Sequence, residues 1–174
     1  MTDLPVLGFC AFSGTGKTTL LASLIPLLNA RGLRIGLVKH THHDFDIDQP
    51  GKDSYVLRKA GAGQVLVASR QRWALMVEEP QSGDPRLEPL LEKLDATRLD
   101  LVLVEGFKHS AIDKIELHRP SLGKPLLFPD DAAIIAVASD ASLPIDCPLP
   151  LLDLNRPDTI ADFILTRLPQ LKRA

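Results

Sequence analysis

Cysteine is nearly absent from the 174-residue chain: Cys10 and Cys147 are far apart, and each sits in an apolar setting. Neither has a second cysteine or a histidine at metal-ligand spacing, which excludes a disulfide framework and a thiolate metal site. The expectation is two reduced, buried thiols in a cytoplasmic protein. An excess of charge of one sign is also lacking, with 20 Lys and Arg against 22 Asp and Glu and a net charge of -2. No whole-molecule field therefore draws in nucleic acid or an anionic membrane, and any anion must be bound locally. No apolar run reaches the roughly 18 residues of a membrane helix, and the start, "MTDLPVLGFCAF", lacks the basic opening of a secretion signal. Repeats and low-complexity tracts are missing too.

What is present is enough for one core. At 45% hydrophobic residues, the chain falls within the usual domain size of roughly 100 to 200 residues, and it reads as a single domain over 1–174. Apolar β-type runs alternate with helical patterns, which points to an α/β fold: a mostly parallel sheet flanked by helices. "PVLGFCAF" is continuously apolar, as a strand covered on both faces should be. Leu20, Leu24, Leu27 and Leu28 then recur at helical spacing up to Gly32, a C-cap candidate, with Pro26 an irregularity inside the helix. "LRIGLVKH" reads as a strand, "THHDFDIDQPGKDS" as a polar loop and "SYVLRKAG" as a short helix. "AGQVLVAS" and "RWALMVEE", joined by Arg70 and Gln71, read as an antiparallel hairpin appended to the sheet. "PLLEKLDATR" reads as a helix, "LDLVLVEG" and "AIIAVASD" as strands, Pro-rich connections follow, and "DTIADFILTRL" closes the chain as a helix.

The stretch "AFSGTGKTT" lies between the first strand and the first helix. It matches the phosphate-binding pattern of Gly, four residues, Gly-Lys-Ser/Thr, except that Ala11 stands where the first Gly would. Gly14 and Gly16 leave backbone NH groups room to point at a phosphate, and the positive end of the helix dipole converges on the same anion. Ser13, Gly14, Thr15, Gly16, Lys17, Thr18 and Thr19 are the candidate nucleotide contacts. Lys17 would bridge the terminal phosphates, and the Thr18 hydroxyl would ligate Mg2+. Magnesium also needs a carboxylate. Ligands collect at the carboxyl ends of strands in open α/β sheets, so Glu105 faces this loop and Asp100 faces away. Glu105 is the candidate metal and catalytic acid, with a turn-capping carboxylate as the alternative.

The loop with His40, His42, His43, Asp44, Asp46, Asp48 and Asp53 invites a zinc reading. Alternation in a strand splays His40 and His42 away from His43, and no cysteine supports them. A loop meeting nucleotide, magnesium or a second substrate is the preferred reading. Asp53 opens a helix and is a candidate for positioning the attacking water, with a helix N-cap as the alternative. Asp140, at the end of "AIIAVASD", is a candidate to accept from the ring NH and amine of guanine, with a turn-forming Asp as the alternative.

Taken in order, "FSGTGKTTLL", "GLVKHTHHDFDID", "PGKDSYVLRKAGA", "VASRQRWALM", "DLVLVEGFKH" and "IAVASD" resemble the MobB family of molybdopterin-guanine dinucleotide biosynthesis proteins over most of the chain. The resemblance implies a GTP-binding, weakly hydrolysing, often homodimeric P-loop protein. It also implies an accessory role to the guanylyltransferase that attaches GMP to molybdopterin, and it strengthens the assignments of Gly14, Gly16, Lys17 and Thr18. Lys108 and His109, just beyond the acid, are open to a role with pterin, partner or neither. A small-molecule kinase built on the same loop is the alternative function, but the Arg-rich lid such kinases carry is not visible. A binding module that never hydrolyses the nucleotide is a third. No arginine finger in cis is evident; Arg70 or Arg72 would serve only if the hairpin folded over the site.

Overall fold

The computed structural model describes residues 4–41, 45–79 and 83–173. It divides into two compact units, Met1–His40 with Arg86–Ala174, and Thr41–Pro85. In the larger unit a six-stranded sheet is formed by β1 (Val6–Cys10), β2 (Ile35–Lys39), β5 (Leu101–Glu105), β6 (Lys114–His118), β7 (Ile134–Ser139) and β8 (Leu151–Asp153). Their order is β2-β5-β1-β6-β7-β8, and every neighbouring pair is parallel.

Strand alternation decides what each face buries. Leu7 and Phe9 of β1, Leu101 and Leu103 of β5, and Ile115 and Leu117 of β6 face α1 (Lys17–Ala30) and α4 (Pro157–Arg167), where Leu24, Leu28, Ile160 and Ile164 are fully buried. Each such side chain contributes about 2 kcal/mol of burial. Val6, Val102 and Val104 point the other way, onto Leu87 and Leu91 of α3 (Leu87–Leu91) and onto Phe107. At the amino ends of the strands, Asp100 accepts from Arg34 on both carboxylate oxygens, and the guanidinium holds this carboxyl at about 2. Asp100 thus ties β2 to β5 at the edge away from the phosphate loop.

Two sequence expectations change. The helix over "PLLEKLDATR" is instead the five-residue α3, which starts earlier, followed by a 3-10 turn over Ala96–Arg98. The Asp95 carboxylate accepts from the Thr97 amide at 3.1 Å and starts that new turn. Strand β6 sits between "VEGFKH" and "AIIAVASD", in a segment to which the sequence pattern assigns no element, and β8 lies inside the Pro-rich connection. As expected from the sequence, the helix at Lys17 runs to Ala30 with Pro26 inside it, where proline has no NH to donate.

In the smaller unit, β3 (Gln64–Ala68) and β4 (Trp73–Val77) form a separate two-stranded antiparallel sheet. The hairpin is therefore not a continuation of the parallel sheet. Its turn is closed by Ser69, whose amide donates to Arg72 O at 2.8 Å while its hydroxyl accepts from the Gln71 and Arg72 amides. The unit is organised on Arg58 of α2 (Asp53–Lys59), a buried guanidinium that donates to Asp46, Asp48 and Glu78. Its bonds hold the Asp48 carboxyl below the ordinary range. Among the described residues, no helix is long and apolar enough to cross a membrane.

Candidate functional site

The phosphate loop joins β1 to α1. Gly14 and Gly16 adopt φ of 82° and 100°, a region in which a side chain would be strained. No side chain caps α1 at Gly16, and no acid stands in its first turn, so its leading NH groups are left to an anion. Thr15 is buried, with its hydroxyl donating to Phe12 O at 2.8 Å. Lys17 arches back over the loop and donates to Ala11 O at 3.1 Å. The group used at position 11 is a backbone carbonyl, which explains why Ala serves where the motif usually has Gly. Ser13 is exposed, and Thr19 lies on the exposed face of α1.

Glu105, at the end of β5, shares the α1 face with Leu101 and Leu103 and is buried. It accepts from the Thr18 hydroxyl at 3.1 Å and from the Lys39 ammonium at 3.0 Å. The Lys39 nitrogen also lies 3.4 Å from the Thr18 oxygen. A cationic group thus bridges the hydroxyl and the carboxylate that would ligate magnesium, and this hard oxygen pair suits a divalent ion of that class. Next in sequence, Gly106 has φ 97°, and a Cβ there would come within 2.9 Å of His40 O. Only glycine lets the chain leave β5 so close to β2 while the His40 amide donates to Glu105 O at 2.8 Å.

On the other side of β1 stands a residue that sequence reasoning passed over. Arg119 follows β6, donates from Nε to Thr15 O at 2.9 Å, and donates from a terminal nitrogen to Asp140 at 2.5 Å. Asp140 follows β7, beside Arg119. Thr18 with Glu105, the loop, and Arg119 with Asp140 therefore line the carboxyl edge of four adjacent strands, β5-β1-β6-β7.

Residues 6–140 match the family model for molybdopterin guanine dinucleotide synthesis protein B, called MobB. The chain belongs to the MobB family. It is 56% identical over 165 residues to the molybdopterin-guanine dinucleotide biosynthesis adapter protein of Escherichia coli strain K12, covering 94% of this chain and 93% of that one. It is 48% identical to the adapter protein of the same name from Haemophilus influenzae, over 93% and 88% of the two chains. A crystal structure of molybdopterin-guanine biosynthesis protein B superposes with a TM-score of 0.72 at 27% identity, covering 92% of this chain and 98% of the other. The MobB match spans every residue of the edge just described, from the loop to Asp140.

Other candidates of this MobB chain belong to the smaller unit or to the segment after β5. Asp53 is the first residue of α2 in the smaller unit, with Lys52 at the cap position. Asp46 and Asp48, offered as ligands of nucleotide or metal, are engaged by Arg58 in the same unit. His42, His43 and Asp44 lie outside the described residues; the His40 ring packs on Phe107 at 5.2 Å. Lys108 and His109 line a cavity of about 470 Å3 together with Cys10, Lys114 and Asp131. Cys10 is buried, and burial pushes its thiol up to about 12, so it is inert at neutral pH. Cys147 is half-buried rather than buried.

Proposed function

We propose that this protein is a GTP-binding adapter in molybdopterin guanine dinucleotide biosynthesis, with weak Mg2+-dependent GTPase activity, acting with the guanylyltransferase of that pathway. The observation that carries the nucleotide reading is the loop with Lys17 drawn over it and the Thr18–Glu105 pair beside it. The pathway reading rests on MobB membership and on relatives named as adapters. Lys17 would neutralise the terminal phosphates, and uncapped helix NH groups would bind their oxygens. Thr18 and Glu105 would hold the metal, which supplies charge neutralisation at the transferring phosphoryl group. Arg119, whose guanidinium already contacts the loop, adds positive charge in cis.

The deciding experiment is Mg2+-dependent GTP turnover by the purified protein, with and without guanylyltransferase and molybdopterin. Stimulated turnover is expected; binding with turnover that stays near zero under every condition would reduce the role to a nucleotide carrier. A narrower expectation concerns Glu105→Gln, which keeps the size and removes the charge. In calorimetric titrations it should weaken GTP binding about tenfold in Mg2+ and leave binding in a chelator unchanged. An equal effect in both conditions would remove Glu105 from the metal.

Homodimerisation is part of the proposal. Leu66, Trp73 and Leu75 on the hairpin are 63%, 65% and 45% exposed, a costly apolar surface for a monomer. Sedimentation is expected to show a species of twice 19.0 kDa at micromolar concentration. A single species at the monomer mass would remove the dimer.

A further inference from the structure

We propose that Arg119 is a specificity-determining residue, clasping the carboxylate of Asp140 to the phosphate loop so that the base-reading and phosphate-binding halves of the site form one rigid unit. The proposal rests on the reading above that Asp140 accepts from guanine and that the loop binds phosphate.

The geometry supporting it is a continuous chain of bonds. Thr15 is 3% exposed and anchored by its hydroxyl to Phe12 O. Its own carbonyl receives Arg119 Nε at 2.9 Å, and the same guanidinium reaches Asp140 Oδ2. The second terminal nitrogen of Arg119 lies 3.7 Å from where a Cβ on Gly16 would stand, so the guanidinium lies along the loop. Its planar fork lets one side chain bond two groups in fixed directions, which a lysine ammonium on a flexible stem does not reproduce.

Asp140 sits at a strand end, where a carboxylate left to itself would populate several rotamers. Reading guanine requires two oxygens presented together to the ring NH and the exocyclic amine. Adenine offers an unprotonated ring nitrogen at the matching position, so an ionised, fixed carboxylate disfavours it. Arg119 supplies the fixing: a bond on Oδ2 that holds the carboxylate plane while leaving further lone pairs free. Of the groups around it, His118 is the other base. Its side chain is buried, its Nε2 has no hydrogen-bond partner among the described residues, and burial lowers its basicity. The Asp140 charge opposes that lowering without reversing it.

Position in the sheet explains why the clasp is possible. β6 lies between β1 and β7, so the residue leaving its carboxyl end is the one that can reach both the loop after β1 and the acid after β7. Arg119 occupies that position.

The test is calorimetric titration of GTP, ATP and inorganic tripolyphosphate into wild-type protein, Arg119→Ala, Asp140→Ala and the double variant. Asp140→Ala should lower the GTP-over-ATP ratio and leave tripolyphosphate affinity unchanged. Arg119→Ala should lower that ratio about tenfold, the scale of one ordered charge-assisted bond, and the double variant should lose no more discrimination than Asp140→Ala alone. Arg119→Lys, which keeps the charge without the fork, should lose the ratio while retaining most of the tripolyphosphate affinity. If Arg119→Ala and Arg119→Lys weaken all three ligands by one common factor, Arg119 serves the phosphates only and the clasp is wrong. If Asp140→Ala leaves the ratio intact, the base reading itself fails, and the clasp with it. If Asp140→Ala lowers the ratio and Arg119→Ala does not, only the clasp fails.

Discussion

Lys17→Ala is expected to weaken GTP binding at least a hundredfold while leaving the thermal unfolding midpoint close to wild type. The two outcomes have separate causes. In the folded chain Lys17 makes one hydrogen bond to a carbonyl, Ala11 O, at a half-buried position. Such a bond contributes about 1 kcal/mol, and water can replace it when the side chain is cut back. Toward a triphosphate the same ammonium would make charge-assisted bonds worth about 1.5–3 kcal/mol each, whereas two other cations at this edge, Arg119 and Lys39, are already engaged by Asp140 and Glu105. Losing about 3 kcal/mol corresponds to more than a hundredfold in affinity. Titration calorimetry with GTP and GDP reads the loss directly. Unchanged affinity in a folded variant would remove the loop from nucleotide binding.

How the site became legible follows from where its chemistry is written. The phosphate loop is contiguous, so "SGTGKTT" could be read as a unit, with a strand before it and a helix after it. Glu105 was legible because the strand that carries it is apolar throughout and ends on the acid; strand alternation then puts Glu105 on the same face as Leu101 and Leu103, toward α1. Arg119 was not legible, because the strand that delivers it was not. β6 reads Lys-Ile-Glu-Leu-His, a pattern of a half-exposed strand at most, yet it lies second from β5 in the sheet with both faces buried. A central strand is expected to be apolar on both sides. Here its polar side is satisfied by the connections that fold across it: Glu116 accepts from the Leu127 and Phe128 amides at 2.8 and 2.9 Å. Long-range partners of this kind leave no periodic trace. The available signal was the alternation of Ile115 and Leu117 with polar residues, read together with an arginine at the strand's carboxyl end. The shortened α3 has a local cause instead, since Asp95 capping Thr97 ends one helical pattern and starts another turn.

Asp131→Ala is expected to destabilise the fold by about 3 kcal/mol, because it removes the counter-charge of a buried ammonium. Lys114 lies on the polar side of β6 with its side chain 3% exposed, and its nitrogen is 2.6 Å from Asp131 Oδ2. It also donates to Lys108 O at 2.8 Å and Ser110 O at 3.0 Å, so all three of its donors are used. The sequence makes space for it: a Cβ on Gly8 of the neighbouring strand would come within 2.7 Å of the Lys114 stem. Asp131 is 28% exposed, so water can partly replace the lost carboxylate, which keeps the cost at about the low end of the 3–5 kcal/mol typical of a broken buried pair. Burial acts to raise the Asp131 carboxyl, but the Lys114 bond, the Ala133 amide and nearby positive charge outweigh it, and the net direction is down. A lowered carboxyl contributes stability that is present above its unfolded value of 3.8 and is lost as pH falls below it. Glu116 works in the opposite sense: burial raises its carboxyl above 4.5, so its contribution declines as pH rises through that value. Lys114→Met is the informative partner substitution. It removes the buried charge, fills similar volume, and leaves the Lys108 and Ser110 carbonyls beside an open cavity that water can enter. Chemical denaturation should therefore rank Asp131→Ala well below Lys114→Met in stability, and the double variant should recover most of the loss. Equal, additive losses would show that the pair stabilises by packing and not by charge, and that Lys114 reaches water despite its burial.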